Sequence, residues 1–572
     1  MNTNVQTNSF YENMKDFFSY SAKAWQSYIS YEFISGIRLS DSQRIIVSSQ
    51  NKQLMINGSA GSGKSIVLLY KLIKIMKEEK EPKRFLFLSY NETLIDDMKK
   101  RANLYSEFND LVRHHESVKI CTFHEFARDL LKDMGYTNLY NKNITYTNIE
   151  RIKENSLRRI ASILHKYRLN GEKYRLLKNE ERLYATHDEQ FVLDEILWMK
   201  ANGFIEYDTY MDCERTGRGN TPRLIKPQRN TIFKIFTDYN NEIENHKYHV
   251  QLSDLEDYAL ILLKKFDEIP KNLKYHAIFA DEIQDLDAMQ LKLLTQLNPS
   301  TLVLAGDPKQ RIYKKAPVSL INLGIDVKSN SRNLNENFRS TEEIMKLANS
   351  LDFSDIIKDN KKIRYMNNGI KPKIFYFKKL EKQLDYIGGK IKEISLNNPY
   401  ETIAVITREE KEKASGNSSD IQTYLARYCR FMNIESYGKY FNYEGCNRVI
   451  YTDIYNVKGL EFDHVFLLNF DLYHYPSKEE VNDKLIKYAK DKEDIEYIDF
   501  ILNLASDDPD YIDLINTEKK RLYVAMSRAK KTLEIFCSQS SENYISPFIR
   551  DFKNGDYDYY VNLNIKKKKR VG

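Results

Sequence analysis

The chain has 572 residues, 42% of them hydrophobic and 30% charged, a mixture typical of a folded protein rather than a disordered one. The formal net charge of +7 is modest for this length and identifies no partner, and five scattered cysteines without a Cys-x-x-Cys pair argue against a zinc site or a disulfide framework. No apolar run reaches the ~20 residues that cross a bilayer, so we expect no membrane segment and a cytoplasmic location.

Short apolar strands alternate with helical stretches in two parts of the chain, which is the pattern of a parallel α/β sheet. The first group of predicted strands comprises Gln53–Ile56, Arg84–Leu88, Val118–Cys121, His276–Ala280 and Thr301–Ala305. The second group comprises Lys373–Phe377, Thr402–Ile406, Arg448–Tyr451, His464–Leu468 and Thr532–Cys537. Helical patterns follow the strands, for example over Lys64–Lys80 and Thr93–Ala102.

A charged, mostly helical interval separates two groups of strands that should share one sheet, so we interpret it as an inserted domain. The predicted division is an N-terminal extension at 1–38, the first part of one sheet domain at 39–125, the helical insertion at 126–270, the second part of the sheet domain at 271–325, a second sheet domain at 326–545 with a small insertion at about 473–513, and a basic C-terminal tail at 546–572.

The run from Gly58 to Ser65 fits the phosphate-loop pattern G-x-x-x-x-G-K-[ST] and stands between a predicted strand and a predicted helix. Gly58, Gly61 and Gly63 let backbone amides approach phosphate oxygens closely. We expect Lys64 to reach the β and γ phosphates and Ser65 to hold Mg²⁺. This loop alone does not separate the several classes of enzyme that bind nucleoside triphosphates.

A second acidic motif, Asp281-Glu282-Ile283-Gln284-Asp285, directly follows the strand His276–Ala280. Asp281 at the strand tip can hold Mg²⁺ through water, and Glu282 can orient and deprotonate the attacking water. A glutamate in that position favours hydrolysis over phosphate transfer to a small molecule. The alternative is an acidic helix start, where carboxylates favour the dipole.

Taken with these two motifs, an ordered series from about residue 39 to residue 530 resembles the superfamily 1A DNA helicases, the UvrD/Rep/PcrA-like group. The further members of the series are Leu39–Gln43, Leu88–Asn91, Thr122–His124, Gly306–Tyr313, Asn335–Ser340, Lys458–Phe462 and Arg521–Ala529. The resemblance implies an α/β fold of two RecA-like parallel-sheet domains with a mostly helical inserted domain, and it places ATP in the cleft between the sheets.

The resemblance also implies roles for individual residues. Around the nucleotide it assigns adenine reading to Gln43, γ-phosphate sensing to Gln310, phosphate and ribose contacts to Gly459 and Glu461, and clamping of the γ phosphate to Arg339 and Arg528 of the second domain. Along a nucleic-acid strand we predict contacts from Tyr90, Asn91, Thr122, His124, Tyr313, Arg215 and Arg218. For the two arginines near Gly217 and Gly219, a solvated basic loop is the alternative.

These features predict an ATP-dependent translocase or helicase on single-stranded or tailed DNA, with 3′→5′ direction inferred from the resemblance. Three departures from the family favour a second hypothesis: no tryptophan follows Gln310 closely, Asp453 and Tyr455 replace the usual Thr and His, and the chain before Lys458 is too short for a large second insertion. The second hypothesis is a nucleic-acid-sensing ATPase subunit that regulates a partner nuclease, as in Gabija-type anti-phage defence complexes.

Overall fold

The computed structural model describes residues 33–34, 37–89, 92–136, 146–215, 224–245, 254–297, 299–310, 320–321, 323–325, 330–354, 363–408, 420–432, 448–454, 457, 460–477 and 509–565. Within these ranges the strands are β1 (Gln53–Gly58), β2 (Arg84–Ser89), β3 (Ser117–Thr122), β4 (Ala277–Ala280), β5 (Thr301–Gly306), β6 (Ser331–Leu334), β7 (Glu336–Thr341), β8 (Arg364–Asn367), β9 (Lys373–Phe377), β10 (Ile403–Thr407), β11 (Phe431–Met432), β12 (Val449–Asp453), β13 (Phe462–Leu467), β14 (Ala529–Ser538), β15 (Asp558–Val561) and β16 (Asn564–Ile565).

The α-helices of the same ranges are α1 (Asp41–Ser48), α2 (Lys64–Glu78), α3 (Glu92–Asn103), α4 (Phe108–His114), α5 (Phe123–Asp133), α6 (Tyr146–Tyr167), α7 (Glu189–Asn202), α8 (Tyr207–Asp212), α9 (Lys226–Asn245), α10 (Asp257–Lys264), α11 (Ala288–Gln296), α12 (Glu342–Asn349), α13 (Leu380–Asn397), α14 (Asp420–Leu425) and α15 (Pro509–Met526). In the described part of the chain, no helix combines the length and the apolar character needed to cross a bilayer.

The first sheet is parallel, with strand order β3-β2-β4-β5-β1-β6 among the described residues. Its central strand β4 is buried on both faces, as expected for a sheet covered by helices. Because parallel strands end at a common edge, the loops after β1, β2, β3, β4 and β5 meet there. The last strand, Ser331–Leu334, pairs with β1 and therefore extends this sheet beyond the boundary predicted at residue 325.

The helical insertion has its own core, formed by apolar side chains of α6, α7, α8 and α9, for example Leu164, Ile196 and Tyr239. Its extent differs from the predicted range of 126–270 at both ends. Phe126 and Leu130 on α5, and Tyr258 and Leu262 on α10, are instead buried in the core of the first sheet. These helices each present an apolar face, and the sheet is the surface that buries it.

The second sheet has strand order β11-β12-β10-β13-β14-β9-β15-β16 in the described residues, parallel except for the hairpin of β15 and β16. Strand β15 pairs with β9, and the Tyr560 ring stacks on Phe375 at a centroid distance of 4.8 Å. The prediction of a basic tail from residue 546 is therefore wrong up to residue 565, because this stretch completes the sheet. The run Lys566–Arg570 lies outside the described residues. Two parallel-sheet domains with a helical insertion confirm the predicted fold class.

Candidate nucleotide site

The phosphate loop follows β1 and leads directly into α2. A Cβ at Gly58 would lie 2.2 Å from Ser62 Oγ, so a larger residue at this position would force the Ser62 side chain to move. Gly61 and Gly63 have φ of +79° and +83°, in the left-handed region that glycine adopts without a Cβ clash. Lys64 begins α2, and its Nζ donates to the carbonyls of Gly58 at 2.9 Å and Ser59 at 3.2 Å. The loop thus holds its lysine at the start of the helix, as the sequence pattern predicts.

Gln43 lies against the phosphate loop rather than out in solvent. Its Nε2 donates to the Ser62 carbonyl at 3.1 Å, and its Oε1 accepts from the Ser40 amide at 3.0 Å in the capping box of α1. A Cβ at Gly63 would lie 2.5 Å from Gln43 Nε2, so the loop and the glutamine are closely packed. Both ends of the amide are therefore used within the protein, and the adenine contact stays a prediction.

Ser65 and Asp281 bring two oxygen ligands together at the ends of the phosphate loop and β4. The Ser65 hydroxyl donates a short hydrogen bond to Asp281 Oδ2. Burial, with the negative charge of Glu282, raises the pKa of Asp281 to about 6. An all-oxygen pair fits Mg²⁺, and a divalent cation would compensate the poorly solvated carboxylate. The residues predicted to hold the metal are thus adjacent.

Glu282 has a left-handed backbone, with φ of +52°, which is unusual for a residue with a side chain. Its carboxylate accepts a short hydrogen bond from Gln284 Nε2, while Gln284 Oε1 accepts from the Asp307 amide at 3.1 Å. Because a backbone N–H can bond only to the oxygen, the amide of Gln284 must direct its NH₂ group at Glu282. Sequence reasoning gave Gln284 no role of its own.

Gly306 makes room for this bridge. A Cβ at Gly306 would lie 2.7 Å from Gln284 Oε1, so the glycine that ends β5 is a condition for the bridge. The signal in the sequence was a pair of features, a glutamine inside the acidic motif and a glycine at the tip of the neighbouring strand. That Gln284 and Gly306 are adjacent follows only from the order of the strands, in which β4 pairs with β5.

Gln310 connects the two sheet domains. Its Nε2 donates to Asp307 Oδ2 at 2.9 Å, and its Oε1 accepts from Arg528 Nη2 at 2.9 Å. Arg528 is 1% exposed and also donates from Nε to the Val524 carbonyl at 3.0 Å. Burial, with the positive charge of Arg339, lowers the pKa of Arg528 to about 10, so the guanidinium remains protonated at neutral pH.

Arg339 lies on β7 next to the phosphate loop and pairs with Glu461. Burial alone would raise the pKa of Glu461, but the positive charges of Arg339, Lys530 and Arg528 lower it overall. A Cβ at Gly61 would lie 2.5 Å from the Cβ of Arg339. Arg339 therefore lies beside the phosphate loop with Glu461 as its acidic partner, whereas Arg528 contacts the loop's neighbour Gln310.

Backbone contacts also join the phosphate loop to the residues around Arg339. The Phe338 amide donates to the Gly61 carbonyl at 2.9 Å, and Asn337 Nδ2 donates to the Ala60 carbonyl at 2.6 Å. Asn337 is fully buried, whereas the Phe338 ring is 38% exposed. Sequence reasoning assigned neither residue a function, although both stand inside the predicted arginine motif.

The residues predicted to contact a nucleic-acid strand have mixed outcomes. Thr122 lies at the tip of β3, but its hydroxyl caps α5 with Glu125 as the partner residue of a capping box. His124 packs its ring against Phe123 and Tyr258. Four of the predicted strand contacts lie outside the described residues, namely Tyr90, Asn91, Arg218 and Tyr313. The same holds for Gly459, which we predicted to contact the nucleotide.

Arg215, which we predicted to contact a nucleic-acid strand, is paired within the protein. Its guanidinium makes two hydrogen bonds to the fully buried carboxylate of Glu195, at 2.8 and 2.6 Å, and Glu195 also accepts from the Tyr210 hydroxyl at 2.8 Å. A buried carboxylate needs a paired cation, and Arg215 provides it. The guanidinium of Arg215 is thus paired inside the insertion, and its contact with nucleic acid stays a prediction.

Together, the two parallel sheets, the phosphate loop, the acidic motif and the arginines of the second domain define a phosphate-loop fold built from two RecA-like domains. Comparison with protein families agrees: residues 39–323 match the UvrD/REP helicase N-terminal domain, and residues 332–427 and 434–540 match the UvrD-like helicase C-terminal domain. The chain therefore belongs to the UvrD/Rep helicase family.

Individual relatives support this membership at low sequence identity. The chain is 25% identical over 368 residues to a probable DNA helicase II homolog of Mycoplasma capricolum, covering 62% of this chain and 46% of the relative. It is 24% identical over 348 residues to the ATP-dependent DNA helicase PcrA of Bacillus subtilis, covering 58% and 41%. It is 22% identical over 414 residues to the ATP-dependent DNA helicase Rep of Buchnera aphidicola, covering 70% and 52%. The chain spans about half the length of these relatives.

Proposed function

We propose that the protein hydrolyses ATP in the presence of Mg²⁺ and uses the reaction to move 3′→5′ along single-stranded DNA, as a translocase or helicase. The observation that carries the proposal is the contact of Arg528 with Gln310. It places a guanidinium of the second domain at the predicted γ-phosphate sensor of the first. The family and the names of the relatives support DNA as the substrate. The direction of movement is the one that the sequence resemblance implies.

In the proposed reaction, a water molecule attacks the γ phosphorus and the bond to the β–γ bridging oxygen breaks, which releases ADP and phosphate. Glu282 orients the water and accepts its proton, and Gln284 holds the Glu282 carboxylate in place. Lys64, Arg339 and Arg528 stabilise the negative charge that develops on the phosphate oxygens. Bound Mg²⁺, with Ser65 and Asp281 as its ligands, would offset charge on the β and γ phosphates.

The proposed movement of the two domains depends on the positions of the cations on the two sides of the cleft. Lys64 belongs to the first domain, whereas Arg528 directly precedes strand β14 of the second sheet. A triphosphate attracts both sides of the cleft, and ADP attracts them less, so each cycle of hydrolysis closes and reopens the cleft. A DNA strand bound to both domains would then be moved along, because the distance between its two contact points changes in each cycle.

The test is an ATPase assay with and without a single-stranded oligodeoxynucleotide, followed by strand displacement on duplexes with a 3′ or a 5′ tail. We expect stimulation by the oligonucleotide and displacement from the 3′ tail. Lys64→Ala should abolish hydrolysis while the circular dichroism spectrum stays unchanged. Hydrolysis that is indifferent to DNA and to an RNA of the same sequence would contradict the proposal.

A second candidate is a nucleic-acid-sensing ATPase subunit that regulates a nuclease, as in Gabija-type anti-phage complexes. It is favoured by the observation that two predicted strand contacts, Thr122 and Arg215, are engaged within the protein. A weaker grip would suit sensing better than processive unwinding. This candidate predicts DNA-stimulated hydrolysis without strand displacement and co-purification of a nuclease. Vigorous displacement by the isolated chain would exclude it.

A further inference from the structure

Lys309 of the first domain extends into the second domain. It stands in the short turn Pro308–Gln310, which packs against α15. Its Nζ donates to Asn349 Oδ1 at 2.7 Å, at the last residue of α12. Because Asn349 Nδ2 donates to the Tyr365 hydroxyl at 3.4 Å, the oxygen of that amide is left to face the lysine. The ammonium group thus has a specific acceptor across the domain boundary.

Two aromatic rings complete the surroundings of the Lys309 ammonium. The Nζ atom lies 5.6 Å from the centroid of the Tyr523 ring and 6.0 Å from that of Phe353, and these two rings meet edge to face at 6.2 Å. Both rings are buried in the core of the second domain. Burial lowers the pKa of Lys309, and the charge of Asp307 partly counteracts this effect. A cation on ring faces, with one carbonyl acceptor, is a defined site rather than a solvated side chain.

The turn Pro308–Gln310 has a second contact with the second domain, close to the end of α15. Gln310, the neighbour of Lys309, accepts a hydrogen bond from Arg528 at 2.9 Å. Arg528 in turn donates from Nε to the carbonyl of Val524, which directly follows Tyr523. Two adjacent side chains of one turn therefore contact the second domain, Lys309 through Asn349 and Gln310 through Arg528. Two contacts define an orientation, whereas a single contact allows rotation.

We infer that Lys309 is a positioning residue, which aligns the phosphate-sensing turn with Arg528 when the domains close. This inference rests on the proposed ATP hydrolysis. The Lys309 ammonium is bonded to Asn349 of the second domain, so we expect it to act through its neighbour Gln310. It sets the distance between Gln310 and Arg528, so its loss should slow turnover and leave ATP binding unchanged.

The test compares Lys309→Met, Asn349→Leu and the double variant in steady-state ATPase assays, with and without a single-stranded oligodeoxynucleotide. Methionine keeps the apolar stem against the rings and removes the donor, and leucine replaces the acceptor at similar size. We expect each single variant to lower kcat about tenfold with KM for ATP changed less than about twofold. The double variant should lose no more than either single one, because both changes remove the same interaction. Lys309→Arg, which keeps the charge, should recover most of the lost rate.

The matched control is Lys346→Met on the same helix α12, where Lys346 forms a surface ion pair with Glu342 at 2.8 Å. It should leave kcat and the melting temperature unchanged. A lower melting temperature for Lys309→Met with normal kcat would show a purely structural lysine and overturn the inference, as would a raised KM with normal kcat. A wild-type chain whose hydrolysis equals that of Lys64→Ala would instead overturn the proposed function, and the inference with it.

Discussion

Nη2 of Arg528 and Oε1 of Gln310 lie 2.9 Å apart, although 218 residues separate them in the chain. This contact makes the second domain part of the predicted phosphate sensor. An arginine that stabilises phosphoryl transfer contributes about 10³–10⁵ in rate, so Arg528→Ala should lower kcat for ATP hydrolysis by at least about 10³. The control is Arg113→Ala, at a side chain that is 80% exposed. Loss of less than tenfold in the Arg528 variant would remove this residue from the proposed mechanism.

Gln284→Ala should lower kcat by about tenfold or more with little change in KM for ATP, because it releases the Glu282 carboxylate without touching the phosphate loop. Gln290 is the comparison, since it is a glutamine of the same domain that serves the capping box of α11. Gln290→Ala should lower the melting temperature and spare kcat. Equal effects of the two variants on kcat would show that Gln284 has no particular part in hydrolysis.

Gly61→Ala should reduce kcat/KM for ATP at least about tenfold, because the added methyl group meets Arg339 Cβ at 2.5 Å and pushes the domains apart. Gly135 separates this effect from backbone strain. Its φ of +93° is equally left-handed, but a Cβ there meets nothing within 4 Å. Gly135→Ala should therefore cost about 1–2 kcal/mol of stability and leave hydrolysis intact. Matching kinetic losses in both variants would contradict the steric explanation.

His115 should make the protein less stable as the pH falls. Burial lowers the pKa of His115 below 6.5, although its hydrogen bond to the Met76 carbonyl at 2.9 Å opposes this shift. Between the lowered pKa and 6.5 the unfolded chain binds more protons than the folded chain, so the stability present above pH 6.5 is lost through that window. In urea unfolding from pH 7.5 to pH 5, His115→Gln should flatten the acid-side decline. The control His165→Gln, at an exposed ring on α6, should not.

Arg215→Ala should destabilise the protein rather than weaken its binding to DNA. Removing the arginine leaves the Glu195 carboxylate buried without its cation, which costs about 3–5 kcal/mol in the free energy of unfolding. Arg158→Ala breaks an exposed ion pair with Glu154 and should cost about 0–1 kcal/mol. At a temperature where both variants are folded, fluorescence anisotropy should show equal affinity for a labelled oligonucleotide. Weaker binding by the Arg215 variant alone would restore the original prediction.

The sheet strands could be predicted because their signal is local. The strand predicted at Gln53–Ile56 is found at Gln53–Gly58, and an apolar run followed by a glycine-rich loop is sufficient to define it. The strand Ser331–Leu334 carries the polar sequence SRNL, so no periodicity marks it. It exists because its backbone pairs with β1, and that pairing spans more than 270 residues of chain.

The site was predictable as a set of residue types and unpredictable as a set of contacts. Lys64, Asp281, Glu282 and Arg528 follow from motifs, because each chemistry needs a particular group after a particular strand or helix. The burial of Arg215 depends instead on Glu195, twenty positions away on α7, and no motif names an internal partner. Neither could the sequence show that the amide of Gln284 connects two loops.

Strand β6 ends at Leu334 and β7 begins at Glu336, so Asn335 alone separates the first sheet from the strand that holds Arg339. This crossing lies close to the phosphate loop, because the Phe338 amide donates to the Gly61 carbonyl. If the two domains rotate about this crossing, a side chain close to it moves a shorter distance than one far from it. Arg339 lies on the strand that begins at this crossing, so we expect its distance from the phosphate loop to change little when the domains move.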